Sequence, residues 1–146
     1  MSTSLRDIKI GSVYYMKFEG VGSEQSGWRP GVVFQNNLAN EFSPNLIVLP
    51  CTTSLKKLSM PTHVLVKHRD SGLSRDSVVL CENPQRMSKG KLGSYITRLP
   101  DKYMKQIAIA SIIASSAISF IPIDDVYAMW SKANRCNKLG SGGLYV

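Results

Sequence analysis

The stretch GSEQSGWRPGVVFQNN (22–37) passes from a Gly- and Ser-rich loop into an apolar strand, carrying Glu24, Gln25, Trp28 and Arg29 across the junction. Reactive groups are commonly placed where loop backbone meets rigid sheet, so Glu24 and Arg29 are the first candidates for chemistry. Pro30 reads as the start of the strand, where its missing N–H is harmless. Gly31 reads either as a simple bend or as room for a close approach of backbone or substrate.

Outward from this junction, short β-branched or aromatic runs bounded by turn residues recur: SVYYMKF (12–18), GVVFQN (31–36), NLIVLPC (45–51), THVLVK (62–67) and SVVLCE (77–82). Several short strands at close spacing predict a small barrel. MSKGKLGSYITRLP (87–100) reads as a basic segment holding a short helix, and a helical period starts near Pro100 with Asp101 in its first turn. The apolar residues Met104, Ile107, Ile112, Ile113, Ile118 and Phe120 cover more than one stripe. This helix, the one long helix expected, therefore packs on the barrel and on a second surface that a partner subunit would supply. Pro122 is expected to end it, leaving an amphipathic turn or two and a Gly/Ser tail, with Tyr127 and Trp130 patching the barrel or stacking on a base.

Length and composition fit this reading. A chain of 146 residues forms one domain and buries roughly 68–70 % of its unfolded surface. Cys51, Cys81 and Cys136 form neither a disulfide framework nor a zinc pattern, and the first two are expected as buried thiols. The N-terminus lacks an apolar signal region, so a reducing cytoplasm is the expected compartment. The apolar run 107–121 contains four serines and falls short of the ~20 residues that span a bilayer, so no membrane role is expected. A net charge of +8 and a pI near 9.6 favour an anionic partner such as nucleic acid or an acidic protein segment.

Motifs for nucleotide hydrolysis, zinc proteolysis, dithiol chemistry and the nucleophile elbow are absent from the sequence. His63 and His68 stand on a strand and its exit, where alternation sends them to opposite faces and argues against a joint acid–base role. What is left is a set of polar groups at strand ends: Glu24 and Arg29 at the first loop, and Thr52, Thr53 and Ser54 after NLIVLPC. Hydroxyls facing a guanidinium make a phosphate site, because the planar fork of Arg holds two phosphate oxygens and keeps its charge. The alternative is a surface salt-bridge Arg beside an ordinary turn.

The runs GSEQSGWRPGVV (22–33), FSPNLIVLPCTTS (42–54), MPTHV (60–64) and RDSVVLCEN (75–83) occur in the order and spacing of the MazF/PemK family, the mRNA-cleaving toxins of bacterial toxin–antitoxin pairs. The resemblance covers about residues 8–121 and is nearest the Firmicute-type members. It implies a mainly β fold, an SH3-like small barrel of the MazF/PemK/CcdB type with a C-terminal helix, assembled as a homodimer. It makes 1–121 the endoribonuclease domain and 122–146 an extension without an assigned role. It further implies ribosome-independent cleavage of single-stranded mRNA with no metal and no cofactor, giving 2′,3′-cyclic phosphate and 5′-hydroxyl ends. The expected partners are the RNA and an antitoxin whose acidic, disordered tail folds over the basic groove; DNA is not a substrate, although the antitoxin complex could bind operator DNA.

By the same resemblance the family's catalytic Arg falls on Arg29, its catalytic Thr on Thr52, and its loop Ser-Glu-Gln on Ser23, Glu24 and Gln25. Arg29 would stabilise charge, Thr52 would bond a nonbridging oxygen, and Glu24 would act as base, with Glu82 as the alternative base. Trp28 would stack on a base or shield the site, or else serve only as a lid on the barrel, and Thr53, Ser54, Lys56, Lys57, Glu82, Gln85 and Arg86 would contact RNA. Lys89, Lys91 and Arg75 are expected at the phosphate backbone. Two departures stand out: Gln85 occupies the place of a family Arg, with Arg86 one step later, and Gly31 replaces a larger apolar residue. Readings without catalysis are a CcdB-like poison of a protein target and a barrel that only binds RNA.

Overall fold

In β1 (Ser12–Phe18) the side chains of Val13 and Tyr14 leave the sheet on opposite faces and both are buried, so the strand needs a core on each side. The computed structural model describes residues 8–20 and 27–139, with side chains described through residue 132. Its described strands form one antiparallel sheet: β2 (Gly27–Val33), β3 (Asn45–Thr52), β4 (His63–Val66), β5 (Ser77–Leu80), β6 (Gln85–Ser88) and β7 (Leu92–Arg98) join β1 in the order β4-β5-β3-β2-β1-β7, with β6 pairing with β3. Neighbouring residues divide between two clusters. Val13, Val32 and Leu49 enter one with Val66, Val79, Tyr103 and Ile107, while Tyr14, Val33 and Val48 enter the other with Met16, Phe18 and Met87. A strand buried on both faces reads as a near-continuous apolar run, and NLIVLPC in β3 has that composition. This is the mainly β architecture that the sequence predicts, with two C-terminal helices where one was expected.

β1 spans the predicted residues, whereas β2 starts four residues before the predicted 31–36 run and stops at Val33. Beyond it, Asn36 accepts from the Ala39 N–H at 2.9 Å and caps a short helix, α1 (Asn37–Phe42), which the strand reading did not foresee. Pro30 lies inside β2, opposite Tyr15, one residue before the pairing of β2 with β3 begins at Gly31. Gly31 leaves no room for substrate: a Cβ there would lie 2.6 Å from Met16 Sδ and 2.8 Å from the Phe18 ring. Its absent side chain is filled by the core.

The C-terminal third departs most from expectation. The basic segment 87–100 holds a 3₁₀ turn, Lys89–Lys91, but most of it is strand β6 and strand β7, the latter paired with β1 through register irregularities. The helix α3 (Asp101–Ser115) buries Tyr103, Ile107 and Ala110 along one stripe, and it ends seven residues before Pro122. Ser116 takes the left-handed conformation (φ 57°) with its N–H on the Ile112 and Ile113 carbonyls. Ser115 Oγ donates to Ile112 O and accepts from Ala117 N–H, so serine hydroxyls compete with the helix for its last backbone groups. Pro122 instead opens a second long helix, α4 (Ile123–Leu139), with Asp124 and Asp125 in the first turn where the helix dipole favours them. Tyr127 and Trp130 do not patch the barrel; they are exposed and stack on each other, centroids 6.4 Å apart. α2 (His68–Ser71) is a single turn between β4 and β5.

Candidate active site

Two strands bring Arg29 and Thr52 together. Gly31 pairs with Pro50 and Val32 with Leu49, and continuing that antiparallel register by two residues places Arg29 across from Thr52. Arg29 is half-buried, and its Nη1 donates to the carbonyl oxygen of Cys51 at 3.5 Å. Thr52 ends β3, and its Oγ1 accepts from the Ser54 N–H at 3.2 Å, which folds the CTTS segment back at the strand end. Beneath them the Cys51 thiol is buried, and its pKa is pushed up to about 12 chiefly by that burial. Burial likewise pushes Cys81 to about 12. Both stay neutral structural thiols, as the sequence predicts.

Thr52 lines a cavity of about 220 Å3 with Ser54, Lys56, Lys57, His63 and Glu82. Position in the hairpin explains the last two: His63 pairs with Leu80 across β4 and β5, and the chain turns at 81–84 before β6 resumes along the same edge of β3, leaving Glu82 at the break. The His63 ring is held at both nitrogens, with Nε2 2.8 Å from Glu82 Oε2 and Nδ1 3.0 Å from the Lys57 carbonyl. Its side chain is 7 % exposed against 39 % for Glu82. His68 is elsewhere, bonded to Asp76 through its backbone N–H and through Nδ1. The two histidines bond to different carboxylates in different cavities, and sequence reading missed His63 as part of the Thr52 cavity. The signal was its place two cross-strand steps from an acid at a strand break.

The other predicted residues divide between two further surfaces. Trp28, Gln85 and Arg86 line a groove of about 510 Å3 with Lys17, Lys91 and Leu92. Met16 pairs with Arg29 and Lys17 with Trp28, so Trp28 leaves β2 on the face opposite Arg29 and does not shield it. The indole is 61 % exposed and lies over Gly93, where a Cβ would stand 3.0 Å from the ring. Arg86 shares this groove with Gln85, so the one-residue offset keeps the guanidinium at the same surface. Thr53 lines a separate cavity of about 340 Å3 with Arg75, His68 and Asp76. Ser23, Glu24 and Gln25 lie outside the described residues. Among the described residues no group of three or more His, Cys, Asp or Glu could hold a metal ion, and no helix is long and apolar enough to cross a membrane.

A family model for PemK-like, MazF-like toxins of type II toxin-antitoxin systems matches residues 9–113. The Endoribonuclease EndoA of Bacillus subtilis is 40 % identical over 114 residues, 77 % of this chain and 98 % of that protein. The Endoribonuclease MazF of Staphylococcus saprophyticus is 40 % identical over 101 residues, 68 % of this chain and 84 % of that protein. Among solved structures, MazF from Deinococcus radiodurans shares the fold at a TM-score of 0.64 and 18 % identity, over 75 % of this chain and 96 % of that one. A mycobacterial endoribonuclease solved in complex with its cognate antitoxin shares it at a TM-score of 0.58 and 22 % identity, over 75 % and 93 %.

Proposed function

This chain belongs to the PemK-like, MazF-like toxin family of type II toxin-antitoxin systems, and we propose that it cleaves single-stranded RNA without a metal, using the RNA's own 2′-hydroxyl as nucleophile. The observation that carries this reading is the half-buried Arg29 bonded to the carbonyl of Cys51, the residue before Thr52, which itself lines a cavity with Lys56 and Lys57. A diester seated there meets a guanidinium that keeps its charge through the reaction and a hydroxyl that bonds a nonbridging oxygen. Charge building on phosphorus is thereby stabilised. Glu24 takes the proton of the 2′-hydroxyl, and the products carry 2′,3′-cyclic phosphate and 5′-hydroxyl ends. DNA lacks the nucleophile and is not cleaved.

Specificity arises in the groove of Trp28, Gln85 and Arg86, whose exposed indole offers a stacking face beside cationic side chains. The protein acts as a homodimer through the face of α3 that carries Ile109, Ile112 and Ile113, exposed in the single chain. An antitoxin segment of acidic character neutralises it by covering the cationic surfaces. Residues 1–121 form the nuclease domain, and α4 belongs to an extension beyond it.

The test is incubation of the purified chain with a long single-stranded RNA in EDTA, with end-group analysis of the fragments. Cleavage to cyclic phosphate ends is expected; cleavage only when divalent ions are added, or none, overturns the proposal.

A further inference from the structure

The family model ends at residue 113, so α4 (Ile123–Leu139) lies outside the shared domain. Among residues 123–132 every one but Ser131 is exposed. Ile123, Val126, Tyr127 and Trp130 recur at the three- and four-residue steps that place apolar groups on one face of a helix. Phe120, Tyr127 and Trp130 are 83 %, 68 % and 51 % exposed, and at about 150–250 Å2 for a whole aromatic side chain they alone present roughly 300–500 Å2. That already matches the largest apolar patch of a typical monomer, about 300–600 Å2. With Ile118, Ile123 and Val126 added, the surface approaches the ~800 Å2 that each partner contributes to a stable interface.

Charge decides what covers it. α4 opens on Asp124 and Asp125 and turns basic in the segment KANRCNKL (132–139). An acidic protein segment or a nucleic acid is repelled at the first end, and a basic partner at the second. A second α4 laid antiparallel meets opposite charge at both ends, whereas a parallel one sets Asp124 and Asp125 against their own copies. Such self-complementarity is what a two-fold interface requires. We infer that α4 pairs antiparallel with the α4 of a second copy of this chain, extending the α3 interface proposed above. Matching Asp124 to the partner's Lys132 sets Val126 against the partner's Trp130, so charged and apolar contacts share one register. The α3 face with Ile109, Ile112 and Ile113 leads through the exposed Ile118 and Phe120 into α4, which makes the two contacts one continuous surface. Once α3 joins two protomers, closure of α4 is intramolecular, so a stripe too short to hold two free chains still closes within the dimer. The inference rests on that homodimer and not on the ribonuclease reading.

The experiment uses the full chain and its Val126→Glu variant, each followed by sedimentation equilibrium and by carbodiimide cross-linking after isotope-labelled and unlabelled protein have exchanged subunits. Carbodiimide joins a carboxylate to an amine without a spacer. Within one helix Asp124 and Asp125 stand eight and seven residues from Lys132, about 10–12 Å along the axis, too far for that bond. A peptide linking them therefore reports two chains. The expected result is such a peptide with one labelled and one unlabelled half, its loss in Val126→Glu, and a dimer dissociation constant raised about tenfold or more in the variant. Val126 is exposed in the single chain, so the substitution leaves the fold intact, which circular dichroism checks. A dissociation constant unmoved by Val126→Glu, or no linked peptide of mixed label in a dimeric parent, overturns the α4 pairing and leaves the α3 interface standing. A parent of four-chain mass that Val126→Glu halves overturns the placement of α4 within one dimer. A parent that is monomeric at every concentration overturns both interfaces, and RNA cleavage is decided separately.

Discussion

Arg29 Nη1 donates to the carbonyl oxygen of Cys51, one residue before Thr52, so the guanidinium is tied to the strand whose end carries the hydroxyl. That coupling runs from the Arg29 side chain on β2 to the backbone of β3. Changes in how these strands pack should therefore be felt in cleavage as well as in stability.

Gly31 tests this first. A Cβ at that position meets Met16 Sδ at 2.6 Å and Phe18 Cζ at 2.8 Å, and overpacking a filled core costs about 1–3 kcal/mol. Gly31→Ala should lower the unfolding free energy from chemical denaturation by that amount and reduce cleavage, since Arg29 lies two residues away.

Acid stability should depend on Asp76. Hydrogen bonds from the backbone and ring of His68 hold its carboxyl at about 2, below the ordinary 3.8. A depressed folded value contributes stability above the ordinary value that is lost as pH falls toward the folded one. The urea midpoint should thus decline between about pH 4 and pH 2, and Asp76→Asn should flatten that decline. Equal slopes for both proteins would remove His68–Asp76 from the account.

The Trp28 groove separates binding from chemistry. Trp28→Ala should weaken affinity for a non-cleavable RNA carrying a 2′-deoxy nucleotide at the scissile position by about 1–3 kcal/mol, with thermal stability nearly unchanged because the ring is largely exposed. Arg86→Ala should lower the salt dependence of binding by about one unit of slope. Unchanged affinity in both variants would place the RNA elsewhere.

Dimerisation is checked on α3. Ile112 and Ile113 are 37 % and 44 % exposed in the single chain, and a charge at either should split a dimer that buries them. Light scattering of Ile112→Glu should give the monomer mass where the parent gives twice that; equal masses would move the interface off this helix.

The sheet was legible because its signal is local: β1 and most of β3 follow from β-branched runs bounded by turn residues. β7 was not, since Gly93, Ser94 and the flanking lysines dilute its pattern and only its pairing with β1 makes it a strand. The end of α3 depends on Ser115 and Ser116 forming local bonds, which an apolar run through Phe120 conceals. In the site, Arg29 and Thr52 were found from strand ends and family resemblance. His63 was missed because its partner lies 19 residues away across a hairpin, and Trp28 was misplaced because sequence adjacency to Arg29 becomes opposition on a strand.

The most direct test of the central claim is the cleavage rate of a single-stranded RNA in EDTA by the parent protein, Arg29→Ala and Thr52→Ala, each shown by circular dichroism to be folded. If the guanidinium and the threonyl hydroxyl grip one diester, Arg29→Ala should lose about 100-fold or more in kcat and Thr52→Ala at least 10-fold, by the loss of preorganised stabilisation. An Arg29→Ala protein that cleaves within about threefold of the parent, where a lost transition-state contact costs far more, would contradict it.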